Sequence, residues 1–331
     1  VSFFSALRKL LLTIGVQIGR VRPLFLSVII RITMWFKNLK LYQLTNSLEL
    51  TEEQLQTQLE SMSFRPCGSQ DIATMGWTSP FRNSDMLFQK TANRYWLVLK
   101  KQERILPASV INNELAEKVA QIEAETGSPV PKKSQQDLKQ EIVHRLLPQA
   151  FTKNSVTHGF ISPENNLVVV DASSDGAAEA FLSCVRKCIG SLPVVPFAKS
   201  SKQEILTSWV LQDAPEQIEI LDEAEFKSPS EDGAVIRCKS QDLDAAEILA
   251  HLQSGMLVQK LSVAWQDRLT CIIAEDLSIK RLKFTDVVKE QNEDIPKDEL
   301  NVKLDADFTL MSSEVVEFAE ALRKIFEVDS E

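Results

Sequence analysis

The sequence predicts an α/β protein of the α+β type, with mixed or antiparallel sheets, amphipathic helices and one projecting helical hairpin. Three observations lead there. Strand-like runs of alternating apolar residues interleave with helix-period segments along most of the chain. Residues 105–153 carry two helical stripes, Val110, Ile111, Leu115, Val119 and Ile122 and then Leu138, Ile142, Leu146 and Leu147, parted by Gly127, Pro129 and Pro131. With 331 residues, 44% of them hydrophobic, the chain can bury a sizeable core, as two domains or one elaborate one.

In chain order, residues 1–33 are apolar and basic, with five cations (Arg8, Lys9, Arg20, Arg22, Arg31) and no acid. Arg20, Arg22 and Pro23 interrupt the run of about twenty apolar residues that a membrane span requires. No small-residue cleavage site precedes Met34. The segment therefore reads as upstream sequence translated ahead of the start, outside the fold. Residues 34–44 read as a partly exposed strand. Thr51, followed by Glu52 and Glu53, starts a helix whose face is Leu55, Leu59 and Met62. Residues 64–80 read as a loop, and 86–91 with 94–106 as a hairpin across Ala92-Asn93. After the helical hairpin, 156–161 and 166–172 form another strand pair, and 175–189 a helix stopped by Gly190. Residues 190–197 are extended, 202–210 a short helix, and the acidic run 218–226 is ambiguous. A strand with Arg237 and Lys239 turns into a helix over 244–252, ended by Gly255. Residues 256–266, 268–276 and 278–286 make a meander, and 314–326 a closing helix with Val315, Phe318, Ala319, Leu322 and Ile325 on one face. The body thus divides into an N-terminal α/β part (34–104), the hairpin (105–153) and a C-terminal α/β part (154–331).

The formal charge of −9 is unevenly spread. Residues 81–153 hold twelve basic and eight acidic groups, whereas 154–331 hold 17 and 33. Lys132, Lys133, Lys139, Arg145 and Lys153 bring positive charge to the hairpin, and Lys260, Arg268, Lys280, Arg281 and Lys283 to the meander. An acidic protein of this kind meets nucleic acid only where such cations converge.

Phosphate-cradling loops of the G-x-x-x-x-G-K-[ST] and G-x-G-x-x-G types are missing, as are G-x-S-x-G, H-E-x-x-H and the H-x-E deaminase signature. Five cysteines, an odd number without a scaffold pattern, suit a reducing compartment. Cys184 and Cys188 lie one helical turn apart with no further ligands to complete a zinc site, and Cys67 has no adjacent histidine or basic cluster. The histidines, 144, 158 and 251, are scattered. The reading is a non-enzyme without metal or cofactor; a nuclease built on scattered carboxylates is the minority alternative.

From residue 34 on, the runs MWFKNL (34–39), FRPCGSQD (64–71), MGW (75–77), LLPQAF (146–151) and GSLPVVP (190–196) resemble the bacterial recombination-associated RdgC family. So do LDEAE (221–225), VIRCKSQDL (235–243), KRLKF (280–284), QNEDI (291–295) and DADFTLM (305–311), in the same order. The resemblance places the start of the protein at Met34. It implies a homodimer closed into a ring, duplex DNA held in a basic channel without sequence preference, and restraint of RecA-mediated strand exchange. It makes 105–153 a finger at one ring-closing contact, with Phe151 in the LLPQAF run, and Lys239 and Gln241 contacts to the DNA backbone.

The candidate DNA-contacting set is therefore Lys132, Lys133, Lys139, Arg145, Phe151, Lys153, Arg237, Lys239, Gln241, Lys260, Arg268, Lys280, Arg281 and Lys283. Single-stranded DNA is a second candidate ligand, and the expected location is the cytoplasm, on the nucleoid and not in a membrane. The competing class is an acidic protein-interaction module that acts on recombination or replication proteins without encircling DNA.

Overall fold

The computed structural model describes residues 35–46, 48, 51–230, 233–296 and 299–328. The expected upstream segment, residues 1–33, and Met34 lie outside the described residues. Twelve strands occur among the described residues: β1 (Leu39–Leu44), β2 (Ala73–Trp77), β3 (Phe88–Thr91), β4 (Arg94–Ile105), β5 (Phe151–Ser162), β6 (Leu167–Asp171), β7 (Val194–Pro196), β8 (Ile218–Lys227), β9 (Val235–Lys239), β10 (Leu257–Trp265), β11 (Leu269–Ala274) and β12 (Ile279–Phe284). They form one antiparallel sheet in the order β2-β4-β5-β6-β1-β12-β11-β10-β8-β9, with β3 also on β4 and β7 also on β1. Two half-sheets meet at Leu39 opposite Ile279, the one register pair between β1 and β12.

The helices are α1 (Glu52–Glu60), α2 (Ala108–Thr126), α3 (Lys132–Leu146), α4 (Asp175–Ile189), α5 (Gln203–Leu211), α6 (Ala246–Gln253), α7 (Asp286–Lys289) and α8 (Leu300–Ile325). Strand alternation sends Leu39, Trp96, Val98, Phe160 and Val169 to one sheet face and Tyr42, Leu97, Leu99, Ile161 and Val170 to the other. Along the first face α8 lays Leu304, Phe308, Met311, Val315, Phe318 and Leu322, spaced by three or four residues. Phe308 stacks on Trp96 of β4 at 5.0 Å, and Phe318 meets Trp265 of β10 at 5.3 Å, so one helix spans both half-sheets. Helices α5 and α6 complete that layer through Leu206, Trp209, Ile248 and Leu252. The second face is covered by α1 and α4, through Leu55, Leu59, Phe181, Leu182 and Val185, and only over the N-terminal half-sheet. Gly159 permits the close approach of α4, since a Cβ there would lie 2.6 Å from the Phe181 ring.

Local chemistry sets the boundaries. Thr51 and Gln54 exchange side-chain and backbone hydrogen bonds at 3.3 Å, a capping box that starts α1. Ala92 and Asn93 both adopt positive φ in the two-residue β3–β4 turn, matching the twist of a tight hairpin. Gly127 and Gly190 take positive φ at the ends of α2 and α4.

Four expectations change. β2 lies inside the stretch read as a loop, anchored by main-chain pairing of Ala73–Trp77 with β4. The acidic run is strand β8, with Ile218, Ala224 and Phe226 inward and Glu219, Glu223 and Glu225 on the other side. The closing helix starts at Leu300, because DADFTLM supplies Phe308 and Met311 to the same stripe as Val315. Finally, both ends of 105–153 are strand: β4 and β5 pair continuously from Tyr95–Ile161 to Ile105–Phe151, and α2 and α3 rise from that ladder.

His158 of β5 is enclosed by Phe36 and Trp96, whose Nε1–H donates to His158 Nδ1 at 3.3 Å. Burial pushes its pKa down from the ordinary 6.5 to about 4. The unfolded chain therefore takes up a proton first as pH falls. Stability from this neutral imidazole is complete above pH 6.5 and is lost between there and about pH 4. Chemical denaturation across that window should show wild type losing roughly 2–3 kcal/mol more than His158→Gln.

Candidate nucleic-acid interface

The second face of the C-terminal half-sheet has no helix over it among the described residues. Its inward neighbours Ala224, Phe226, Leu261, Val263, Ile273, Ile279 and Leu282 belong to the core under α5, α6 and α8. Alternation and cross-strand register therefore put the intervening side chains on the open side: Lys260 beside Glu225 and Ala274, Ile272 beside Lys280, Thr270 beside Lys283, Glu225 beside Arg237 and Glu223 beside Lys239. Ile272, opposite Lys280, and Ala274, opposite Lys260, are buried yet belong to neither core cluster, as expected for apolar floor positions beside long basic side chains. A depression of about 490 Å³ on this face is lined by Lys239, Arg237, Lys260, Lys280 and Arg281 with Glu223, Glu225 and Ile272. Arg281 occupies a bulge in β12 with φ of 51°, which inserts an extra cation between Lys280 and Leu282.

Of these cations, Arg237 and Lys260 each bond a different oxygen of Glu225 at 2.6 Å, and Arg281 pairs with Glu223. Burial alone would raise the Glu225 carboxyl, but hydrogen bonds from Lys260 and Arg237 outweigh it and hold the group below its ordinary range. Lys239, Lys280 and Lys283 make no ion pair among the described residues, and Lys239 and Lys283 are exposed. A second groove of about 440 Å³ adjoins the depression and adds Lys40 and Lys199. Lys40 lies between Asp175 (2.6 Å) and Asp276 (2.9 Å). Sequence reasoning missed both lysines: Lys40 stood in a recognised strand, but its face is fixed only once β1 pairs with β12.

The remaining candidates fall elsewhere. Arg268, in the β10–β11 turn, points to α8, where it pairs with Glu314 and Glu317 and lies 5.6 Å from the Trp265 ring. Gln241 is on the rim of another cleft, its amide 3.4 Å from Glu247. That cleft, about 430 Å³, is walled by Asp213, Asp222, Asp242 and Asp244 around Trp209. Arg145 of α3 pairs with Glu114 of α2 and joins the Lys118–Glu141 pair (2.7 Å) in clamping the helical hairpin. Lys132, Lys133 and Lys139 are exposed on α3, and Lys153 faces Glu103 across the β4–β5 ladder. At the end of that ladder Phe151 is 85% exposed and its register partner Ile105 47%, the most open large apolar pair on the strands.

Among the described residues no three His, Cys, Asp or Glu side chains converge as metal ligands. Cys184, Cys238 and Cys271 are buried, and burial raises the thiol pKa of each. Cys67 donates toward the Gln102 carbonyl at 3.3 Å. Among the described residues no helix is long and apolar enough to cross a membrane.

Residues 34–329 match the family model described as "Putative exonuclease, RdgC". A protein of Pseudoalteromonas atlantica named "Recombination-associated protein RdgC" is 59% identical over 299 residues, covering 90% of this chain and 99% of the relative. Relatives with the same name from Haemophilus influenzae and Aeromonas hydrophila are 46% and 45% identical over 292 residues, each covering 87% of this chain and 96% of its own length.

The placement of Arg268 yields a test of structural against ligand-binding roles. Arg268→Ala strands the buried Glu314 carboxylate and should lower unfolding free energy by about 2–4 kcal/mol, whereas Lys283→Ala should change it by less than about 0.5. Paired denaturant titrations measure both.

Proposed function

The chain belongs to the RdgC family, and on that basis we propose that it is a recombination-associated protein that binds duplex DNA through phosphates, without reading bases. The observation that carries this reading is the helix-free, lysine-bearing face of the C-terminal half-sheet, with Lys239, Lys280 and Lys283 open to solvent partners. Flat cationic strands without exposed aromatic platforms suit backbone contact better than base stacking. The proposal extends to a homodimer that closes around duplex, placed in the cytoplasm on the nucleoid, where it limits RecA-mediated exchange; single-stranded DNA is a weaker ligand. The exposed Phe151–Ile105 pair beside the hairpin supports a self-complementary closing contact there, as two-fold symmetry requires. We assign no enzymatic step to the chain; magnesium-dependent shortening of end-labelled duplex would instead support the exonuclease description of the family.

The cleft walled by Asp213, Asp222, Asp242 and Asp244 favours a second reading, a docking place for a basic protein partner. Salt-sensitive binding to unrelated duplexes that survives Asp242→Asn with Asp244→Asn supports the DNA reading over this one.

Two outcomes are expected. Lys280→Ala with Lys283→Ala should weaken binding to every duplex sequence alike and flatten the dependence of log affinity on log salt by about 0.9 for each phosphate contact removed. Electrophoretic titrations at several salt concentrations report both quantities. Phe151→Ala should shorten residence on closed circular DNA more than on short linear duplex, read from dissociation rates after adding competitor. Equal losses on the two substrates would remove the encircling part of the proposal.

A further inference from the structure

The DNA-binding reading leaves unexplained why two carboxylates stand in the middle of the basic face. Ala224 and Phe226, on the inward side of the same strand, already supply the packing of β8, so the core does not require Glu223 and Glu225. Both are only partly exposed, with side chains 25% and 18% accessible, and both point to the open face in uninterrupted register with β9. Being two residues apart on an extended strand, they are separated by roughly 6.8 Å. That spacing is comparable with successive phosphates along one nucleic-acid strand. Their partners come from three different strands: Arg237 of β9, Lys260 of β10 and Arg281 of β12.

We propose that Glu223 and Glu225 are internal substitutes for DNA phosphates, holding Arg237, Lys260 and Arg281 in the free protein and yielding them only to a polyanion. The inference rests on the duplex-binding reading and adds a regulatory element to the same face. The cations of these pairs stay 33–70% exposed to water, which weakens the pairs, so a ligand offering several phosphates at once can displace them. A lone small anion gains one contact and must break one. The carboxylates released by DNA take up solution cations, which offsets the counterions that the DNA gives up. The wild-type salt dependence is therefore set mainly by Lys239, Lys280 and Lys283, and the three paired cations add little to it.

The test compares Glu223→Gln, Glu225→Gln and the double variant with wild type, using fluorescence anisotropy of a short labelled duplex of arbitrary sequence over a salt series. Glu219→Gln is the control, because Glu219 lies on the same strand and face, opposite Ala264, with no cation paired to it among the described residues. The double variant should bind several-fold to about tenfold tighter at moderate salt, with a slope steeper by about 1–3. Glu219→Gln should show only a minor gain. Thermal midpoints establish that each variant is folded, and if the double variant is not, the single variants carry the test, each with a smaller gain than expected for the pair. Wild-type binding with unchanged or weakened variants overturns the substitution role alone. An equal gain from Glu219→Gln overturns it too, since net charge then suffices. Absence of salt-sensitive binding by wild type overturns the duplex-binding reading together with this inference.

Discussion

The layering of this protein depends on one helix crossing one sheet face. Phe308 on Trp96 and Phe318 against Trp265 tie α8 to β4 and β10, strands from the two half-sheets. The direct strand connection between those halves is a single register pair, Leu39 with Ile279. The buried apolar stripe of α8 therefore does the joining that the β-ladder does not. Because α8, α5 and α6 satisfy the inner face throughout, the outer face needs cover only where its own side chains are apolar. That is the N-terminal half, under α1 and α4. In the C-terminal half the same face alternates to lysine, arginine and glutamate, and an antiparallel sheet tolerates such a face in water.

This arrangement reconciles a formal charge of −9 with a cationic surface. The acids are spent locally: Glu314 and Glu317 on Arg268, Glu114 on Arg145, Asp175 and Asp276 on Lys40. Lys239, Lys280 and Lys283 on the open strands keep their charge with no such partner among the described residues. On the duplex-binding proposal, a potential focused on one face would steer a polyanion there, while an acidic remainder would limit adhesion elsewhere.

Much of the fold was legible because its signals are local. The Thr51 helix start, the Ala92-Asn93 turn, Gly190 after α4 and the cations of β12 each need only a few neighbouring residues to be read. Misreadings arose where a distant partner decides. β2 is a strand because β4 offers it an edge, and DADFTLM is helical because Phe308 finds Trp96. The same division holds for the site. Residue type marked Lys280 and Lys283 correctly as cations of one strand, but it gave no sign that Arg268 turns inward to α8 or that Arg237 and Lys260 share one carboxylate. Those are properties of register, and register is set by the whole sheet.

The β4–β5 ladder has a further mechanical consequence. Its strands are twelve residues each, roughly 40 Å of ribbon, and its distal pairs run beyond the helices that clamp the proximal ones. From Leu99 outward the ladder is three strands wide, because β2 pairs with β4 from Trp77–Leu99 to Ala73–Glu103, while β6 reaches β5 only at Gly159–Ser162. The heading of Phe151 and of the helical hairpin mounted beside it is thus set by the twist of this narrow three-stranded end. Arg104, one pair short of the tip, ties that end to the loop before β2, its main-chain N–H donating to Ile72 O at 2.8 Å and its guanidinium to Gly68 O at 2.9 Å and Ala150 O at 3.0 Å, so the tip and that loop turn as one unit.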